Sequence, residues 1–94
     1  MNDFEKYLTE TIDEIKTVLL KKNADYDLSF FKTYKKHGIL SSIIRLEDKF
    51  NRLENLTAKN NKAQVTEESV DDTLRDLVGY GILSLVMRKM ERNQ

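Results

Sequence analysis

Apolar residues recur along this chain at helical intervals in three long stretches. Over residues 3–22, Phe4, Leu8, Ile12, Ile15 and Leu19 follow one another at steps of three and four, which places them on one face of a helix. Asp3 and Glu5 stand at the positive end of that helix's dipole, and Lys21 and Lys22 at the negative end. The polar stretch from Asn23 to Asp27 interrupts the pattern. A short helix is predicted over 28–36, closed by Gly38 as its C-cap. A second long helix is predicted over 39–56, with Ile39, Ile43, Leu46, Phe50 and Leu53 as its buried stripe. At about 100° per residue, Arg45, Asp48 and Arg52 fall on the side roughly opposite that stripe. Residues 57–66 are polar and read as a loop. Thr66-Glu67-Glu68-Ser69 then offers an N-cap with acids in the first turn of a third long helix, predicted over 66–92.

This third helix has two apolar sides. Val70, Leu74, Leu77, Gly81 and Leu85 line one, while Asp72, Asp76, Leu83, Met87 and Met90 fall in a narrow arc near the other. Its C-terminal half is therefore expected to be buried on more than one face. Asp72 and Asp76, in line with the second stripe, are expected to point at another helix or subunit and not into bulk water. The predicted fold is all-α: a single domain over 1–94, a small bundle of three long helices plus a short one. Two apolar sides on the last helix exceed what one small chain covers, so the bundle is expected to be completed as a homo-dimer or homo-tetramer.

Composition narrows the function. Sixteen basic and sixteen acidic residues give a formal net charge of zero. A general nucleic-acid binder needs a basic surface to displace counterions from phosphates, so no polymer of that kind is the expected partner. The absence of cysteine excludes disulfides, thiolate metal sites and a cysteine nucleophile, and one histidine leaves little for a His-based site. His37, just before Gly38, suits a helix C-terminal cation better than a catalytic base. The N-terminus lacks a signal-peptide pattern, and no apolar run approaches the roughly 20 residues needed to span a bilayer. A cytoplasmic chain with no membrane partner is expected.

Several residues could carry chemistry. Asp72 and Asp76, at i and i+4, project side by side and could share a divalent cation, with Asp48, and Glu47 beside it, facing them from the preceding helix. The plain alternative is a pair of helix-surface acids. Charge is also segregated: residues 21–36 hold five lysines against two aspartates, and residues 67–76 hold five acids against one arginine. A metal–phosphate ligand needs both signs. Arg45, Asp48 and Arg52 could form an intrahelical ion-pair ladder, or the arginines could clamp phosphate with their planar forks. Tyr26, Phe30, Phe31 and Tyr34 could stack a base, although aromatics so spaced more often form core. Gly79 and Gly81 each cost a helix about 1 kcal/mol relative to alanine, and close helix packing is the expected return.

Three blocks are familiar as a set: Lys22 to Asp27 with Ser29-Phe30, Arg45 to Leu53, and Glu68 to Leu77 followed by Tyr80. Together they resemble the nucleotide modification associated domain 1 family of phages and bacteria. That family looks like a branch of the all-α nucleoside triphosphate pyrophosphatases, which include MazG and the dimeric dUTPases. The resemblance implies a Mg²⁺-dependent pyrophosphohydrolase that cleaves a (deoxy)nucleoside triphosphate to monophosphate and pyrophosphate. Asp48, Asp72 and Asp76 would hold the metal, with Glu47 as a further acid of the catalytic set. Lys22, Asn23, Asp25 and Tyr26 would contact the nucleotide, and Arg45, Lys49 and Arg52 would screen its phosphates. The superfamily's first acidic helix usually carries a further glutamate one turn on, where this chain has Asn51 and Arg52. A nucleotide-binding or sequestering module without hydrolysis is the alternative, followed by a purely structural helical oligomer.

Overall fold

The computed structural model describes residues 2–26, 29–58 and 67–93, with the side chains of Asp25 and Tyr26 outside that set. Among the described residues there are four helices and no strand: α1 (Asp3–Tyr26), α2 (Ser29–His37), α3 (Ile39–Thr57) and α4 (Glu67–Arg92). No helix among them is long and apolar enough to cross a membrane. The all-α bundle expected from the periodicity is what forms.

Two boundaries differ from expectation. α1 does not stop at Lys22 but continues to Tyr26. Asn23-Ala24-Asp25-Tyr26 contains neither glycine nor proline, and the propensity cost of asparagine or aspartate is only about 0.7 kcal/mol each. Polarity alone does not end a helix. The other end of α1 is fixed by Asn2, whose Oδ1 accepts the backbone N–H of Glu5 at 2.8 Å. α3 likewise runs through Thr57, which had been expected in the loop; the rest of that loop, including the Thr66 cap, lies outside the described residues.

Gly38 alone separates α2 from α3. Its N–H donates to the Tyr34 carbonyl at 2.7 Å, closing α2, and its own carbonyl accepts from the Ser41 N–H at 3.0 Å, opening α3. The backbone there has φ 67° and ψ −148°, a combination that side chains with a Cβ rarely adopt. A Cβ at this position would meet nothing within 4 Å, so Gly38→Ala tests backbone strain without a clash. It is expected to lower stability by about 1–3 kcal/mol, read as a shift in the urea midpoint; an unchanged midpoint would show that the α2–α3 joint relaxes freely.

α3 and α4 run antiparallel, and the seam between them is polar. Ser42 meets Ser84 at 2.6 Å, the Arg45 guanidinium lies over the Tyr80 ring, Lys49 approaches Asp76, and Arg52 Nε donates to Thr73 Oγ1 at 3.3 Å. Partners descend along one helix as they ascend the other. Ser84 donates its one hydroxyl proton to the Tyr80 carbonyl at 2.7 Å, so Ser42 is the donor to Ser84. Thr73, 1% exposed, donates in turn to the Ser69 carbonyl. Every buried side-chain polar atom among the described residues has a partner, which is what makes such a seam tolerable.

The apolar core lies to one side of this seam. Phe30, Tyr34, Leu83 and Met87 are buried together, with Leu19, Phe31 and Tyr80 packed against them. α1 crosses that side parallel to α4, with Glu14 beside Arg75 and Leu19 beside Gly79. The expected buried stripe of α3 is corrected here. Ile39, Ile43 and Phe50 are exposed, and Leu46 and Leu53 only half-buried. α3 is rotated by roughly a quarter turn from the orientation its apolar residues suggest, because the small hydroxyl residues Ser42 and Ser84 let it approach α4 closely. In α4, Leu83 and Met87 are buried as expected, but Leu74, Leu85 and Met90 are exposed.

Candidate functional site

The inner side of the seam, the C-terminal half of α1 and the start of α2 together enclose a groove of about 290 Å³. Each element contributes for a local reason. The amphipathic spacing of α1 turns Ile15 and Leu19 inward, and Lys22 follows on the same face one turn later. α3 contributes Arg45 and Lys49, one turn apart, from the same face that carries Ser42. α4 contributes Arg75, Asp76, Tyr80 and Leu83, and α2 contributes Phe30. The floor is apolar and the upper wall charged.

Four cations, Lys22, Arg45, Lys49 and Arg75, line this groove against one carboxylate, Asp76, so its walls carry a net of three positive charges. Lys49 Nζ lies 3.5 Å from Asp76 Oδ2 with both side chains partly exposed, a pairing too loose to hold either group firmly. The Arg45 guanidinium sits 5.9 Å from the centre of the Tyr80 ring, and Tyr80 is 5.7 Å from Phe30, so a cation and two aromatic rings form one continuous wall. A concave site with several cations, one acid and an aromatic flank suits a phosphorylated, partly apolar ligand.

The residues singled out by sequence divide among several places. Lys22, Arg45, Lys49 and Asp76 come together in the groove. Arg52 is committed to Thr73 in the seam and does not line it. Asn23, Glu47 and Asp48 are exposed and also outside it. The side chains of Asp25 and Tyr26 lie outside the described residues. Asp72 lies on the side of α4 toward α1, but it is not shielded from bulk water as expected. It is exposed, bonded to Arg75 at 3.0 Å, and borders a second, shallower hollow with Glu10, Asp13 and Glu14.

Among the described residues, no three acids or histidines gather in a way that could hold a metal ion. Asp76 faces Lys49 and Asp72 faces Arg75, so the two acids of α4 look into different hollows with an arginine between them. Among the described residues, then, Asp48, Asp72 and Asp76 do not converge on one point.

Arg75 and Tyr80 are the groove residues that sequence reasoning missed. Arg75 is the one base in an acidic run, and it touches Asp72 and lies 3.8 Å from Glu14 while lining both hollows. That isolation was the available signal. Tyr80 carried none beyond its place in the third familiar block.

A family profile described as nucleotide modification associated domain 1 matches residues 22–87. The matched stretch begins at Lys22 and takes in every charged residue of the groove. No curated protein and no solved structure matches the chain.

Proposed function

The chain belongs to the nucleotide modification associated domain 1 family, and from that membership we propose that it binds a nucleotide, with the phosphates held in the cationic groove. The observation that carries this reading is the gathering of four cations around one carboxylate in a single groove. Arg45 offers a planar pair of N–H donors to phosphate oxygens, Lys22 and Lys49 add mobile point charges, and Arg75, paired with Asp72 and Glu14, adds longer-range positive charge. Phe30 and Tyr80 give the sugar or base an apolar surface beside the charge. Binding phosphate releases Lys49 from Asp76, a weak contact whose loss costs little.

Mg²⁺-dependent hydrolysis of a nucleoside triphosphate to monophosphate and pyrophosphate, as the resemblance to MazG and the dimeric dUTPases implies, is the second reading. What favours it is Asp76, a carboxylate set among the phosphate-binding cations. What weighs against it in one chain is that Asp48 and Asp72 stand elsewhere.

Thermal melting against a panel of nucleotides, each with Mg²⁺ and with EDTA, separates the readings. A ligand at a hundred times its Kd stabilises the folded state by about 2.7 kcal/mol, which in a domain of this size raises Tm on the order of 10 °C. Binding through the cationic wall alone is expected to give this shift in EDTA as well as in Mg²⁺, with the nucleotide recovered intact by chromatography. A shift that requires Mg²⁺, with pyrophosphate appearing, would transfer the conclusion to the hydrolase. No shift with any nucleotide would leave a structural helical protein and reject both.

A further inference from the structure

Gly79 stands in the middle of α4, where glycine costs a helix more than any residue but proline. Close packing against α1 does not require it. A Cβ built there would meet Leu19 Cδ2 at 3.7 Å, an ordinary contact, and nothing else within 4 Å beyond its own stretch of helix. An alanine therefore fits between α1 and α4 in the free protein, and favours the helix as well. Of the chain's three glycines, this is the one that lines the cationic groove. Gly81, two residues on, lies outside the groove, with open space where its Cβ would stand.

The surroundings define what the missing side chain leaves room for. Along α4, Gly79 follows Asp76 by about 4.5 Å and comes one turn before Leu83, so it lies where the charged wall gives way to the apolar floor. Tyr80 is its neighbour, Phe30 lies 5.7 Å from the Tyr80 ring, and Leu19 approaches from α1. Bare backbone edged by two aromatic rings and a leucine admits a flat ring at close range, which any side chain would hold off. We propose that Gly79 is a specificity-determining residue, the seat of the ligand's planar base, while the phosphates reach back to Lys22, Arg45 and Lys49. This placement, which rests on the nucleotide reading above, fixes which end of the ligand lies where. Base and phosphates are met by different residues, so a change at Gly79 is felt by the base alone.

Calorimetry on the full chain tests the placement, with each of the four common deoxynucleoside triphosphates and with inorganic tripolyphosphate, in EDTA, and in Mg²⁺ where binding requires it. Gly79→Ala is expected to melt at or above the Tm of the unsubstituted chain. It is expected to weaken the tightest-binding nucleotide at least about ten-fold, the effect of one carbon too many in a fitted pocket, and to leave tripolyphosphate within about two-fold. Gly81→Ala makes the same change of residue outside the groove, and is expected to leave both affinities within about two-fold. A Gly79→Ala chain that binds the nucleotide as Gly81→Ala does, or that loses tripolyphosphate in the same proportion, would overturn the seat and leave the phosphate-binding reading standing. A Tm below that of the unsubstituted chain would also overturn it, by assigning the glycine to packing against Leu19. If the unsubstituted chain binds no nucleotide in either condition, the nucleotide reading falls and the seat falls with it.

Discussion

Phe30→Ala is expected to remove about 3–5 kcal/mol of stability, the usual cost of truncating a buried phenylalanine. Phe30 is 3% exposed and sits where α1, α2 and α4 meet. Its ring lies 6.3 Å from Phe31, 6.0 Å from Tyr34 and 5.7 Å from Tyr80, all tilted in the geometry that aromatic pairs prefer. Leu83 and Met87 are themselves buried against it, so neither can move into the space without leaving another gap. A domain of this length holds about 5–14 kcal/mol in all, so the loss is a large share of the total. Urea unfolding at a fixed protein concentration measures it. A cost under about 1 kcal/mol would mean that α2 contributes little to the folded state, contrary to the burial described.

Arg45→Glu is expected to weaken nucleotide binding by at least 100-fold, about 2.7 kcal/mol, with the helical content intact. The substitution turns the groove's net charge from three positive to one positive and removes the cation from the face of Tyr80. A charge-assisted hydrogen bond contributes about 1.5–3 kcal/mol, and the new carboxylate repels phosphate as well. Lys32→Glu makes the same change in whole-chain charge on an exposed part of α2 outside the groove, and is expected to alter affinity about two-fold or less at physiological ionic strength. Titration calorimetry on both variants compares them directly. Equal losses would show a diffuse electrostatic effect and not a site.

How far the sequence was legible depends on the kind of information each residue carried. The four helices followed from apolar spacing, and Gly38 from its position between two helical patterns. The overrun of α1 was hidden because Asn23 and Asp25 read as punctuation, although a helix is stopped by geometry more than by polarity. Ile39, Ile43 and Phe50 correctly marked an apolar stripe, but periodicity says only that a face is apolar and not what covers it. The seam was invisible for the opposite reason. Ser42, Thr73 and Ser84 are small polar residues that look like surface, and their burial depends on partners more than 20 positions away. In the groove, Lys22, Arg45, Lys49 and Asp76 were legible because charge and the family blocks both pointed at them. Arg75 and Tyr80 were not, since their value comes from which helix they face.

The polar seam also divides the protein's response to temperature. Apolar contact weakens on cooling because the hydration of hydrocarbon carries a large heat capacity, whereas polar surface contributes with the opposite sign. The Phe30 cluster therefore loses grip as the solution is chilled, while the hydroxyl contacts of Ser42, Thr73 and Ser84 hold. Toward low temperature, α2 is expected to loosen first, since its hold on α4 is the aromatic cluster, while α3 stays joined to α4 through the hydroxyl contacts of the seam.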